Sequence, residues 1–267
     1  MLLADQNRLT RISLPWVTIA MIAACTLAFL VELGGTALPE ALVFRPDLLA
    51  ARPGDPLLWL GVPGHALLHG GFWHLLGNML ALWVFGDNVE DAFGHARFAA
   101  FLAACAAAGA AAFWLTTPAG IGLIGASGAI AGVMGSYLLL HPRARVAMLA
   151  FKGVPVCAPA SWFVGFWLGG NLLHAAGAFE TVGDGAPVAW FAHLGGFAAG
   201  MLLTLVARPA DVALFQPGLA GDAEDWFWKR VWDLGPRDGE AVIDSAAAIG
   251  RALLFALLVG LALLFAS

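Results

Sequence analysis

Four polar residues could do chemistry in a chain that is otherwise strongly apolar: Ser127, His193, His74 and Asn78. Ser127 lies in GLIGASGAIAG (Gly122 to Gly132), between glycines at the edge of an apolar run. A serine hydroxyl becomes a nucleophile when a base takes its proton, and histidine is the usual base. His193, in FAHLGGFAAG, is the candidate. His74 and Asn78 are four residues apart, so a helix would carry both on one face. Together with the backbone N–H of Ser127 at a helix start, their side chains are donors suited to an oxyanion. The implied chemistry is acyl transfer through serine. Asp87, Glu90 and Asp91 fall at the far end of the His74 segment, and Glu180 and Asp184 fall in a loop, so the expectation is a Ser–His dyad rather than a triad.

Something must bring these residues together. The chain has 267 residues, 61% hydrophobic and 12% charged, with a mean hydropathy of +0.83. Soluble domains carry about 25% charge, so this is an integral membrane protein by composition. A net charge of -5 leaves no basic face for nucleic acid. Cys25, Cys105 and Cys157 have neither metal-ligand spacing nor a disulfide pattern and read as small buried hydrophobes.

A bilayer core needs roughly 20 apolar residues per helix. Seven segments qualify: 13–33, 72–91, 97–116, 124–141, 160–178, 189–207 and 247–266. The first follows Arg8 and Arg11, has no small-residue cleavage signature, and reads as a retained helix. With the N-terminus in the cytoplasm, that side receives Arg8, Arg11, Arg97, Arg143, Arg145, Lys152, Arg208, Lys229, Arg230, Arg237 and Arg251. The outer side receives only Arg45 and Arg52, which satisfies the positive-inside rule and leaves the C-terminus outside. Residues 34–71 form a long outer loop. Residues 208–246 form a cytoplasmic segment whose DWFWKRVWDLG (Asp225 to Gly235) suits a membrane interface.

This topology places Ser127, His193, His74 and Asn78 at one depth beneath the outer face, where buried polar groups mark function. The glycines agree. Gly128 and Gly132, and Gly196 and Gly200, form two GxxxG pairs that would let the Ser127 and His193 helices approach closely, with Gly125 beside them. His65 and His69 have a spacing that would suit a metal on a helix, but read as loop-ordering hydrogen bonders. His95, His141 and His174 read as structural, and Glu90 with Arg97 as an ion pair. A metal-ion transporter built on His65, His69 and His74 would need carboxylates in the membrane interior, and there are none. The soluble hydrolase elbow G-x-S-x-G is excluded, because Ala129 stands where its last glycine would be and no strand precedes it.

The motifs in combination resemble the rhomboid intramembrane serine proteases over roughly residues 55–207. GASG (Gly125 to Gly128) resembles that family's G-x-S-G, which implies Ser127 as nucleophile. AHLGGFAAG (Ala192 to Gly200) resembles its A-H-x-x-G-x-x-x-G, which implies His193 as base. HALLHGGFWHLLGN (His65 to Asn78) resembles its histidine-rich helix entry, which implies His74 and Asn78 as oxyanion stabilisers; FGDNVED with Gly94 also fits. The resemblance implies an all-α membrane protein with a six-helix rhomboid-like core and one extra C-terminal transmembrane helix. It implies cleavage of peptide bonds in or near transmembrane segments of other proteins, with no cofactor and no metal. Two departures stand out. WLGVPGH (Trp59 to His65) lacks the arginine of the family's Trp-Arg pair. Ala131 occupies the position, one turn after the serine, where some members place an aromatic against the base, so another side chain must hold the His193 ring. The alternative reading is a non-catalytic rhomboid-like protein that binds and escorts transmembrane helices. A bacterial inner membrane is the expected location.

Overall fold

The computed structural model describes residues 2–5, 7, 9–35, 40–149, 155–177 and 189–218. The expected seventh helix, the tryptophan-rich DWFWKRVWDLG segment, Glu180 and Asp184 lie outside the described residues.

Helix α1 (Trp16–Leu33) starts directly after Pro15. Its free N-terminal N–H groups are met by a buried carboxylate from elsewhere in the chain. Glu90 accepts from the N–H of Val17 (2.9 Å) and of Thr18 (2.8 Å), and from the Thr18 hydroxyl (2.7 Å). An acid at this position satisfies orphan donors and complements the helix dipole. Glu90 is fully buried, and His95 donates to it from Nδ1 at 2.6 Å. The expected Glu90–Arg97 pair is therefore replaced by a Glu90–His95 pair within a cap. Asp91 repeats the device one residue on, gathering the N–H groups of Thr10 (3.0 Å), Arg11 (2.7 Å) and Ile12 (2.8 Å).

The connection after α1 is folded rather than loose. It contains α2 (Pro46–Ala51), α3 (Pro56–Trp59) and α4 (Gly61–Gly64), with a 3-10 turn on either side of these short helices. Phe44 and Leu49 from this stretch pack with Phe113, Leu123 and Ala192 in a second small core, and Phe44 exchanges backbone hydrogen bonds with Leu123.

Helix α5 (Phe72–Phe93) ends at Gly94, and α6 (His95–Thr116) begins at the next residue. Helix α7 (Ser127–Leu140) is buried along almost its whole length. Helices α8 (Ala160–Ala175) and α9 (Trp190–Ala207) complete the described bundle. Contacts fix directions. Gly128 and Gly132 of α7 lie against Gly196 and Gly200 of α9 in register, so the two helices run parallel. Asn171 of α8 meets His193, and Trp167 meets Phe197, so α8 runs against α9.

Three of these helices, α1, α6 and α9, are long and apolar enough to cross a membrane by length and composition. The other expected spans differ for physical reasons. Helix α5 has the length but buries carboxylates in its last turns. Helix α7 has 14 residues and α8 has 16. A central helix enclosed by its neighbours does not have to match the bilayer along its own length.

The fold is mostly helical but not all-α. A three-stranded antiparallel sheet in the order β1-β2-β3 joins β1 (Leu2–Asp5), β2 (Arg145–Leu149) and β3 (Pro155–Pro159). Arg145 pairs with Pro159 and Leu149 with Pro155, so both prolines sit on an edge strand, where a missing N–H is tolerated. The sheet is anchored at the end of the bundle opposite Ser127. Asp5 accepts from the Tyr137 hydroxyl (2.6 Å) and from Asn88 Nδ2 (2.9 Å). These strands escaped the sequence reading because they are short and lie outside the apolar runs that dominate the pattern.

Candidate active site

Ser127 is the first residue of α7, and the backbone before it turns sharply. Gly125 has φ +115°, a conformation that side chains rarely adopt. A Cβ there would fall 3.0 Å from His74 Nε2 and 3.6 Å from Ser127 Oγ. The His74 ring and the Ser127 hydroxyl thus border the same small space, and only a glycine leaves room for both. The sequence groups Gly125 with the helix-packing glycines, but it lies in the loop before α7 and admits the His74 ring.

His193 enters from the first turn of α9. Its Nε2 lies 2.8 Å from Ser127 Oγ, within hydrogen-bond reach of a nucleophile and base. The ring is buried while Ser127 is only half-buried. The approach of α7 to α9 makes this possible. A Cβ on Gly132 would lie 2.9 Å from Gly196 O, and Cβ atoms on Gly196 and Gly200 would land on the carbonyls of Gly128 and Gly132. Helix α6 closes the same contact, since a Cβ on Gly109 would lie 2.8 Å from Ala192 O.

The serine and histidine are not an isolated pair. Asn171 of α8 places Oδ1 2.7 Å from His193 Nδ1 and donates from Nδ2 to Trp167 O at 2.8 Å. Trp167 lies 5.7 Å from the His193 ring centre, and Trp190 meets it edge-on at 6.1 Å. These side chains hold the ring that Ala131 leaves unsupported. The sequence reading missed Asn171, although an asparagine within an apolar helix was a signal of the same kind as Asn78.

His74 is exposed near the start of α5, where its Nδ1 accepts a long bond from Gly70 N–H (3.4 Å). Asn78 is buried one turn further on, and among the described residues its Nδ2 finds no acceptor. No hydrogen bond joins Asn78 to Ser127 or His193 among the described residues. His65 and His69 order the chain into α5. His65 Nδ1 donates to Gly61 O (3.1 Å), its carbonyl accepts from Gly125 N–H (2.8 Å), and His69 Nδ1 donates to Leu67 O (3.3 Å). Burial, with the nearby His74, pulls the His69 imidazole down to about 4, which favours its neutral form. Among the described residues, no cluster of histidine, cysteine or carboxylate side chains could hold a metal ion.

The sequence matches the Rhomboid domain family over residues 58–210. The chain belongs to the rhomboid family. The matched stretch contains Ser127, His193, His74, Asn78 and Asn171. Curated relatives agree. Over 148 residues, 54% of this chain, it is 34% identical to "Rhomboid protein 1, mitochondrial" of Saccharomyces cerevisiae, and covers 40% of that protein. It is 34% identical over 96 residues to "Putative rhomboid protease YdcA" of Bacillus subtilis, covering 32% of this chain and 48% of the relative. It is 33% identical over 139 residues to "RHOMBOID-like protein 1" of Arabidopsis thaliana, covering 52% of this chain and 32% of the relative. The chain therefore spans less than half the length of each of these relatives. As a rhomboid it is an integral membrane protein.

Proposed function

We propose that this rhomboid is a serine endopeptidase that cleaves transmembrane segments of membrane proteins near the outer face of the membrane. The observation that carries the reading is the 2.8 Å contact between Ser127 Oγ and His193 Nε2. It lies at the meeting of α7 and α9, where glycines and apolar side chains bring the helices together and the Thr204–Ser136 hydrogen bond lies more than two turns away. Ser127 is the nucleophile and His193 the general base. The Ser127 hydroxyl proton passes to His193 Nε2 as Oγ bonds to the scissile carbonyl carbon. The resulting oxyanion is held by His74, Asn78 and the Ser127 N–H. Collapse breaks the C–N bond, His193 returns the proton to the leaving amine, and water then hydrolyses the ester.

In this reading residues 1–207 form a six-helix catalytic membrane domain with its motif core at about 55–207. Residues 208–246 lie at the cytoplasmic interface, and 247–267 form a seventh transmembrane helix. The N-terminus is cytoplasmic and the C-terminus outside. A bacterial inner membrane is the proposed location, and the substrates are transmembrane proteins that unwind locally at small residues.

The test is cleavage of a reporter transmembrane substrate by purified full-length protein in liposomes, comparing wild type with Ser127→Ala. Cleavage by wild type alone is expected. Absence of cleavage by both folded proteins across several reporters would replace the reading with helix binding without catalysis.

Asn78 provides a separate check. Its Nδ2 is buried without an acceptor, so Asn78→Ala removes an unsatisfied donor and should cost the fold little. If that donor serves an oxyanion, kcat falls by about 10²–10³-fold. A melting temperature that drops steeply while kcat of the surviving protein is unchanged would sink the assignment.

A further inference from the structure

We infer that Asn171 is a positioning residue that sets the tautomer and orientation of His193; this rests on the proposed Ser127–His193 chemistry. Two contacts determine which way the amide faces. Its Nδ2 lies 2.8 Å from Trp167 O, a carbonyl that can only accept. Turning the amide over would set Oδ1 against that carbonyl, oxygen against oxygen. Oδ1 therefore faces His193, 2.7 Å from Nδ1. An amide oxygen can only accept, so Nδ1 carries the proton and donates. In the neutral ring the other nitrogen is then bare. That nitrogen is Nε2, 2.8 Å from Ser127 Oγ, ready to accept the hydroxyl proton.

Asn171 thus does for His193 what the third member of a triad does, by orientation and without adding a charge. The support comes from α8 because α7 supplies none: Ala131, one turn after Ser127, carries no ring. Trp167 sits one turn before Asn171 on the same helix and both contacts its amide and flanks the imidazole. Among the described residues, the titratable groups near His193 are His74 from α5 and His174, which stacks on Trp190 at 4.2 Å. No carboxylate hydrogen-bonds to His193 among the described residues.

The experiment uses full-length protein in liposomes with a cleavable reporter and, separately, a fluorophosphonate that labels activated serine. Wild type, Asn171→Ala and Asn171→Asp are compared for kcat, KM and the acidic limb of kcat/KM. Asn171→Ala is expected to lower kcat and the labelling rate by about ten- to a hundredfold, with KM changed less than about twofold. Asn171→Asp keeps the shape and the acceptor toward His193 but adds a negative charge and gives up the hydrogen bond to Trp167 O. Its folding is therefore checked by thermal melting beside the rates. The charge stabilises the protonated imidazole, and activity needs the neutral ring, so the acidic limb moves to higher pH by about one unit or more. Packing alone would move neither the kcat-to-KM split nor the limb. If Asn171→Ala does not fold, the near-isosteric Asn171→Asp carries the test. The role is overturned if kcat of folded Asn171→Ala stays within about twofold of wild type, or if the limb of Asn171→Asp coincides with that of wild type. Wild type that neither cleaves nor labels overturns the protease reading itself, and the Asn171 role with it.

Discussion

His193→Ala is expected to reduce kcat by about 10⁴–10⁶-fold, as much as Ser127→Ala, and the double variant is expected to lose no more than either single one. The reasoning is geometric. Ser127 Oγ and His193 Nε2 are 2.8 Å apart and share one proton in the proposed reaction. Without His193 the hydroxyl stays protonated, and a protonated serine is a poor nucleophile. Without Ser127 the base has nothing to activate. Two residues that act as a unit give grossly non-additive losses, whereas two independent packing residues give additive ones. Ser127→Ala should not strongly destabilise the protein, whereas His193→Ala is expected to lower its stability by opening a gap in a buried site and leaving Asn171 Oδ1 without its partner. Ser127→Ala removes one oxygen, and His193→Ala leaves a gap flanked by Trp167 and Trp190. The measurement is initial rates on one reporter substrate at saturating concentration, with folding checked by thermal melting. A His193→Ala protein within tenfold of wild type would end the assignment of His193 as base. Additive losses in the double variant would mean that the two residues act separately.

The contact between Ser127 and His193 was legible because few polar groups occur in an apolar chain, and the expected alternation of spans puts both at one depth. Residue type and spacing carried that information without any fold. The partner of His193 was not legible in the same way. An asparagine in a helix always has a default partner in the carbonyl one turn back, as Asn171 has in Trp167 O. Whether its other end meets something depends on how α8 packs on α9, and sequence spacing does not report that. Ala131 did announce that the ring needed support from elsewhere. The role of Glu90 was obscured for a related reason. Its charge suggests a cation nearby in sequence, yet two of its four partners are backbone N–H groups of α1, which carry no residue identity. The sheet was hidden because its strands are brief and one begins at residue 2. The small-residue pairs were visible as motifs, but GxxxG is common in membrane helices and does not say which glycines touch backbone.

The structure makes that distinction, and a matched pair of substitutions reads it. Gly200→Ala is expected to destabilise the protein by about 2–4 kcal/mol, while Gly165→Ala should change stability by less than about 1 kcal/mol in either direction. Both glycines are helical and both changes add one methyl group. At Gly165 on α8 a Cβ meets nothing within 4 Å among the described residues. At Gly200 it meets the carbonyl of Gly132, and that carbonyl belongs to the backbone of the neighbouring helix, which cannot swing aside as a side chain does. The helices must part instead. Parting them at Gly200 also stretches a polar contact one turn on, where the Thr204 hydroxyl lies 2.7 Å from both Ser136 Oγ and Gly200 O. At the other end of the same seam, Gly128 and Gly196 sit within one to three residues of Ser127 and His193. Separation there lengthens the 2.8 Å contact on which the proposed chemistry depends. Gly200→Ala should therefore lower kcat as well as the unfolding midpoint, with the loss of rate persisting in protein that remains folded. Denaturant-induced unfolding in detergent measures the first effect and reporter cleavage by the folded fraction the second. Equal stabilities for the two alanine variants would mean that α7 and α9 do not meet backbone to backbone, and the close approach that joins Ser127 to His193 would then need another cause.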